Sequence, residues 1–199
     1  MTRPAPIAVL LLAGPDERTR TALATALAGN GAGGRLRMAH ERPQAEDLPR
    51  PAACLCCSGP SEALARLEGL LRDIDNARHP PLSTLVVDLG ATADPAGLIG
   101  ALTGHPYLSL RYAPPRLIAC LDAAPPSDAV TSLVLLADVI VSPVAAAQAG
   151  EGTPAIHRLS PDAALADPVA LLSLPMPANV DRPANARALR LRKALSGGR

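Results

Sequence analysis

The sequence predicts an α/β fold with an open, mostly parallel β-sheet and helices on both faces. Three observations point to it. Short runs rich in Val, Ile and Leu recur along the chain and show no polar–apolar alternation, as strands buried on both faces do. Stretches with apolar residues at helical spacing lie between these runs. Several runs also stop at a Gly or a small polar residue, namely Gly14, Asp88, Asp122 and Ser142. Ligands of open parallel sheets gather beyond such carboxyl ends.

Taken in order, Ile7–Ala13 is a continuous apolar run ending at Gly14, and it reads as the first buried strand. After Pro15 and a charged turn, Leu23 and Leu27 sit four apart in an Ala-rich stretch that favours helix. Asn30–Gly34 carries three glycines and stops that helix. Residues 35–53 are polar and broken by Pro, with one short strand near Leu36–Ala39. Ser58 is placed to cap a helix whose first turn holds Pro60, where a missing N–H costs nothing. Leu64, Leu67, Leu71 and Ile74 then recur at helical spacing. Leu82–Asp88 is the next strand, and Pro95–Leu102 a short helix. Arg116–Asp122 repeats the strand pattern, Asp128–Leu136 the helical one, and Asp138–Ser142 is again strand. Ala155–Leu159 predicts one further strand, and Asp167–Leu174 one further helix. From Pro175 the chain turns Pro-rich and closes with Arg187, Arg190, Arg192 and Lys193. This divides it into a domain over 1–174 and a linker with a basic helix or tail over 175–199.

Composition narrows the function classes. With 199 residues and a net charge of +1, the chain holds one domain and no field that would gather nucleic acid or an anionic membrane. The basic tail lacks interleaved aromatics and reads as a solvated surface helix rather than a nucleic-acid interface. Aromatic residues amount to two Tyr, with no Phe and no Trp, so the core must be built from Leu, Val, Ile and Ala. No segment reaches the roughly 18 apolar residues that span a bilayer. Ile7–Ala13 is followed at once by Asp16, Glu17 and Arg18 and lacks a secretory cleavage pattern, so a cytoplasmic location is expected.

Cys54, Cys56 and Cys57 place three thiols within four positions. In a reducing compartment such a cluster suits metal or redox work more than a structural disulfide. Thiolates at this spacing favour Zn²⁺ or Cu⁺, and tetrahedral zinc needs a fourth ligand. The helix capped by Ser58 would lower the thiol pKa values through its dipole. The plainer reading makes the three cysteines small buried apolar residues. Cys120, inside a predicted strand, is assigned to the core. His40, His79, His105 and His157 are scattered, without spacing to the cysteines that marks a fourth ligand.

Five segments in order resemble the CobW-type family of P-loop GTPases, relatives of HypB and UreG that serve metal insertion and zinc homeostasis. Ala53-Cys-Leu-Cys-Cys-Ser58 is similar to the family's Gly-Cys-x-Cys-Cys-Thr element. Leu85–Pro95 resembles the strand that ends in Glu-Thr-Ser/Thr-Gly-Leu-Ala-Asp-Pro, with Asp88 where the family has Glu. Arg116–Ala123 resembles the strand ending in Val-Asp-Ala, and Leu136–Val141 the strand leading to the guanine-reading Asn-Lys-x-Asp. Leu159-Ser-Pro-Asp-Ala163 resembles a later Leu-Asn-Pro-x-Ala. The resemblance implies a three-layer P-loop NTPase-like fold, a zinc site at Cys54, Cys56 and Cys57, and a protein client or partner subunit.

The nucleotide motifs depart from the family's. A working P-loop is Gly-x4-Gly-Lys-Ser/Thr, whose backbone N–H groups and Lys cradle phosphates while the hydroxyl holds Mg²⁺. Here the aligned stretch is Gly14-Pro-Asp-Glu-Arg-Thr-Arg-Thr21. Gly14 and Thr21 are kept, Thr19 replaces the second Gly, and Arg20 replaces the Lys, which is no equivalent cation at a tight site. Asp16 and Glu17 bring carboxylates to the place of phosphate, and Pro15 removes a donor. Ser142-Pro-Val-Ala145 stands where Asn-Lys-x-Asp is expected and offers no carboxylate to guanine. Gly14, Arg20, Thr21 and Asp88 are therefore read as remnants of a nucleotide site, with Asp88 and Asp122 the Mg²⁺ candidates should nucleotide bind. The expectation is a zinc-binding accessory protein that has lost tight GTP·Mg²⁺ binding and hydrolysis. A divergent but active GTPase or ATPase, and a pure interaction scaffold, are the two rival readings.

Overall fold

The computed structural model describes residues 5–29, 33–37, 61–91, 95–124, 128–144 and 157–174. Its strands are β1 (Ala8–Ala13), β2 (Gly33–Arg37), β3 (Thr84–Gly90), β4 (Arg116–Cys120), β5 (Val139–Val141) and β6 (His157–Leu159). Its helices are α1 (Glu17–Ala28), α2 (Ser61–Asp75), α3 (Pro95–Gly104), α4 (Leu108–Arg111), α5 (Asp128–Leu136), α6 (Pro161–Ala166) and α7 (Ala170–Ser173). The six strands form one sheet in the order β2-β3-β1-β4-β5-β6, and every neighbouring pair is parallel.

Strand parity divides the core into two layers. Leu10 and Leu12 of β1, Val86 of β3, Ile118 and Cys120 of β4 and Val139 of β5 face α1, α6 and α7, where Leu23, Leu27, Ala164 and Leu171 are buried. Val9, Leu11 and Ala13, with Leu85, Val87, Leu117 and Ala119, face the other way. They meet Leu67, Leu71, Leu98, Leu102, Leu108, Leu133 and Leu136 of α2–α5. The three-layer P-loop NTPase-like arrangement is thus present, with aliphatic side chains filling both layers. Burying each Leu fully is worth about 1.5–3 kcal/mol. Tyr112 is the one buried aromatic among the described residues, and its hydroxyl donates to the Leu67 carbonyl at 3.0 Å. Burial raises its pKa beyond the ordinary tyrosine range.

The helices after β1 and β3 leave on opposite faces: α1 packs on one, α3 on the other. The carboxyl ends of β1 and β3 are hydrogen-bonded neighbours, so the sheet's switch point lies between them. Gly14, Arg20 and Asp88 stand there.

Several elements differ from the sequence reading. The strand expected near Leu36–Ala39 begins at Gly33, inside the glycine run, because α1 has already ended at Ala28 with Gly29 as its cap. The helix expected over Asp167–Leu174 is shortened to the four residues of α7, and α6 ahead of it was not expected. α6 starts at Pro161 because the Ser160 hydroxyl accepts from the Ala163 N–H and Pro161 fills the first turn. The four-residue α4 was not expected at all. Its first residue Leu108 is fully buried, while Tyr107 and Arg111 both bond Asp75 at the end of α2. Among the described residues no helix is long and apolar enough to cross a membrane. The expected basic tail over 175–199 lies outside the described residues.

Candidate functional site: the β1–α1 turn and the end of β3

β1 ends at Ala13 and α1 begins at Glu17, leaving only Gly14, Pro15 and Asp16 as the turn. Gly14 is required. Its φ is +119°, and a Cβ there would lie 2.3 Å from the Cys120 carbonyl oxygen of β4. The turn is pressed onto the sheet, with the Gly14 N–H donating to the Gly90 carbonyl at 3.1 Å and the Asp16 N–H to the Cys120 carbonyl at 3.2 Å.

Asp16 caps α1. Its Oδ1 accepts from the Thr19 N–H at 3.0 Å and its Oδ2 from the Thr19 hydroxyl at 2.5 Å. The charged stretch after Pro15, expected as a turn, is therefore the first turn of a helix, started by a strong acidic cap. Glu17 donates its N–H to the Pro15 carbonyl and Arg20 to that of Asp16. A phosphate-cradling loop aims such N–H groups at its ligand. Here those of Gly14, Asp16, Glu17, Thr19 and Arg20 all go to acceptors within the chain.

Arg20 closes the arrangement. It lies on the face of α1 that also carries Leu23, Ala24 and Leu27, and it is buried with a relative exposure of 4%. Its Nε stands 3.0 Å from Oδ1 of Asp88, itself 2% exposed, and its Nη1 donates to the Gly14 carbonyl. Asp88 Oδ1 also accepts from the Gly90 N–H at 3.1 Å. One guanidinium thus ties α1 to β3 and to the β1–α1 turn. Taking two charges from water costs several kcal/mol per ion, and this network supplies the Coulombic and hydrogen-bond return that makes the burial tolerable.

Of the four residues expected as nucleotide-site remnants, Gly14, Arg20 and Asp88 are brought together. Thr21 lies half-buried in the second turn of α1, its carbonyl accepting from the Thr25 hydroxyl at 2.8 Å. Asp88 is turned inward to Arg20 and accepts from the Gly90 N–H. Asp122 is exposed and accepts from the Ala124 N–H, closing a local turn. Cys120 belongs to the core, as expected, and burial pushes its thiol up to about 12. Ser142 follows β5, with its hydroxyl accepting from the Val144 N–H at 3.3 Å.

Cys54, Cys56 and Cys57 lie outside the described residues, as do Ser58 and His40. Among the described residues no group of three or more His, Cys, Asp or Glu converges. His105 pairs with Glu68 at 3.4 Å and the His79 ring meets the Pro80 carbonyl at 2.8 Å.

The sequence signal for the Arg20–Asp88 pair lay in the spacing of α1. Arg20 falls three, four and seven residues before Leu23, Ala24 and Leu27, on the buried stripe. A buried Arg at the start of such a helix needs acceptors at the neighbouring strand ends, and Asp88 supplies a charged one.

No protein-family model matches the chain, and no curated protein matches it in sequence. Solved structures do match its fold. The zinc-bound YjiA GTPase from E. coli superimposes with a TM-score of 0.51 at 22% identity, over 70% of this chain and 49% of that one. A zinc-bound triple mutant of the YjiA GTPase gives 0.50 at 23% identity with the same coverage. The chain spans about half the length of these proteins. At this identity the likeness establishes the fold.

Proposed function

We propose that this chain is a CobW-type metal-handling domain that binds zinc through Cys54, Cys56 and Cys57 and does not bind or hydrolyse GTP tightly. It would deliver or sense the metal through a protein partner. The observation that carries the nucleotide half is the Arg20–Asp88 pair: the guanidinium in the place of the P-loop lysine is spent on a buried carboxylate and on the Gly14 carbonyl. The neighbouring turn N–H groups are spent on the chain itself. Binding a triphosphate here would require breaking that network while bringing the charge of Asp16 and Glu17 close to the phosphates.

The metal half rests on the thiol cluster and on the zinc present in both YjiA structures. One of these carries alanine in place of a glutamate and two adjacent cysteines and still holds zinc. The assignment to Cys54, Cys56 and Cys57 therefore stands on their own chemistry. Residues of the partner or a second copy could complete a tetrahedral site.

Metal analysis of the purified chain, together with a melting scan in Mg·GTP, tests both halves. Zinc present and an unmoved Tm is the expected pair of results. A ligand at a hundred times its dissociation constant adds about 2.7 kcal/mol, so real nucleotide binding would not be missed. The second reading, an active GTPase, has the GTPase titles of the matching structures in its favour. It requires a clear rise in Tm with Mg·GTP that disappears in Arg20→Ala.

A further inference from the structure

We propose that Asp88 is an internal anion, and that the β1–β3 switch point is a closed oxyanion site which opens when the charge of this one carboxylate is removed. The inference extends the reading of the nucleotide half above and is independent of the cysteines.

Three features of the geometry lead there. First, Arg20 is a guanidinium held 4% exposed in the first turns of a twelve-residue helix, where the helix dipole favours negative charge. Second, its anionic partner is not a structural neighbour by chain or by helix. Asp88 comes from β3, 68 residues away, and meets it at the carboxyl end of the sheet, the end at which parallel sheets hold their ligands. Third, a guanidinium donates to carboxylate and phosphate oxygens from the same planar fork, so one anion can stand in for the other.

Removing the carboxylate charge leaves a cation buried without its counter-charge, which is far more costly than the pair itself. A small oxyanion taking the place of the carboxylate at the carboxyl end of the sheet would supply the missing charge. Asp16, engaged with Thr19, and the exposed Glu17 stand at the same turn and oppose it. The site should therefore take inorganic phosphate weakly and a polyphosphate poorly. In the unsubstituted chain Asp88 wins that competition because it is tethered and always present.

The test is a melting comparison in sodium phosphate against sodium chloride at equal ionic strength, on the full chain. Phosphate strengthens folding of any protein through exclusion from its surface, so the unsubstituted chain sets the baseline. Asp88→Asn keeps an acceptor for Arg20 and for the Gly90 N–H while removing the charge. It should gain an extra ~2–4 °C in Tm from phosphate beyond that baseline, the shift expected when phosphate exceeds its dissociation constant several-fold. Arg20→Met combined with Asp88→Asn should lose the extra gain. Asp88→Ser, which also opens space, serves as the second single variant, and folding only in phosphate counts as the same result. Equal phosphate responses in the single variants and the unsubstituted chain would overturn the proposal. So would an equal response in the Arg20→Met double variant, or single variants that fold in neither salt. A zinc result of either kind leaves these outcomes unchanged.

Discussion

Arg20 Nε lies 3.0 Å from Asp88 Oδ1, and both side chains are almost wholly buried at the carboxyl end of the sheet. The pair joins the helix after β1 to the strand beside it, and it does so where a nucleotide-binding member of this fold class would need an open turn. Truncating Arg20 to Ala leaves the Asp88 charge buried alone and should cost about 3–5 kcal/mol in denaturant unfolding. Replacing both, as Arg20→Met with Asp88→Leu, should cost clearly less than either single change, because no unpaired charge then remains. A double variant as unstable as the sum of the singles would remove the pair from its central place.

Gly14 is held at φ +119° with the Cys120 carbonyl where a Cβ would go. Gly14→Ala should therefore destabilise by about 1–3 kcal/mol from backbone strain alone, with the steric conflict adding to it. Chemical denaturation gives the number; a cost below a few tenths of a kcal/mol would mean the turn is not pressed onto β4 as described.

Ala77 sits at φ 55°, in the left-handed region just past α2. Its N–H donates to the Ile74 carbonyl and that of Arg78 to Asp73, the bonds of a helix stop that usually employs Gly. Ala77→Gly should raise stability by about 1 kcal/mol, since the left-handed conformation is costly for a residue with a Cβ. Unchanged or lower stability would contradict this.

Arg116, buried at the start of β4, donates to the Leu171 carbonyl at 2.5 Å and the Leu174 carbonyl at 2.6 Å. A cation at the end of α7 satisfies carbonyls that the helix itself cannot. Arg116→Met should speed amide exchange in residues 170–174 far more than in β1 or β3. Uniform acceleration across the sheet would instead point to a global loss.

The Cys120 thiol ionises near 9 when exposed, but burial raises it to about 12 in the fold. Its contribution is complete below pH 9 and is lost as pH rises towards 12, because the unfolded chain releases its proton first. Tyr112, raised by burial, acts in the same alkaline direction. Stability should thus fall between pH 9 and 12, and Cys120→Ala should flatten that fall. An identical pH profile in the variant would show that the thiol contributes nothing there.

The strands were the most legible part of the sequence. Ile7–Ala13 and Leu85–Val87 are apolar throughout because both faces of a parallel sheet are covered, and composition alone carries that signal. β2 was harder, since Gly33, Gly34, Arg35 and Arg37 have neither the apolar content nor the β-branching of a strand. Its existence follows from pairing with β3, a tertiary fact. Likewise α4 follows from the burial of Leu108 and from the Asp75 contacts, not from local periodicity. At the site, the sequence revealed that the phosphate loop was altered but not what replaced it. The charges of Asp16 and Glu17 pointed to repulsion, whereas the structure uses Asp16 to start α1 early and Arg20 to bind Asp88 and the Gly14 carbonyl.

The most direct test of the whole account is a zinc competition titration of the reduced chain against a chromophoric chelator, run with and without Mg·GTP. Zinc bound more tightly than micromolar, abolished by Cys→Ser at positions 54, 56 and 57 and indifferent to Mg·GTP, is the predicted result. Binding no tighter than micromolar, binding unaffected by those substitutions, or an affinity that shifts with Mg·GTP would contradict it.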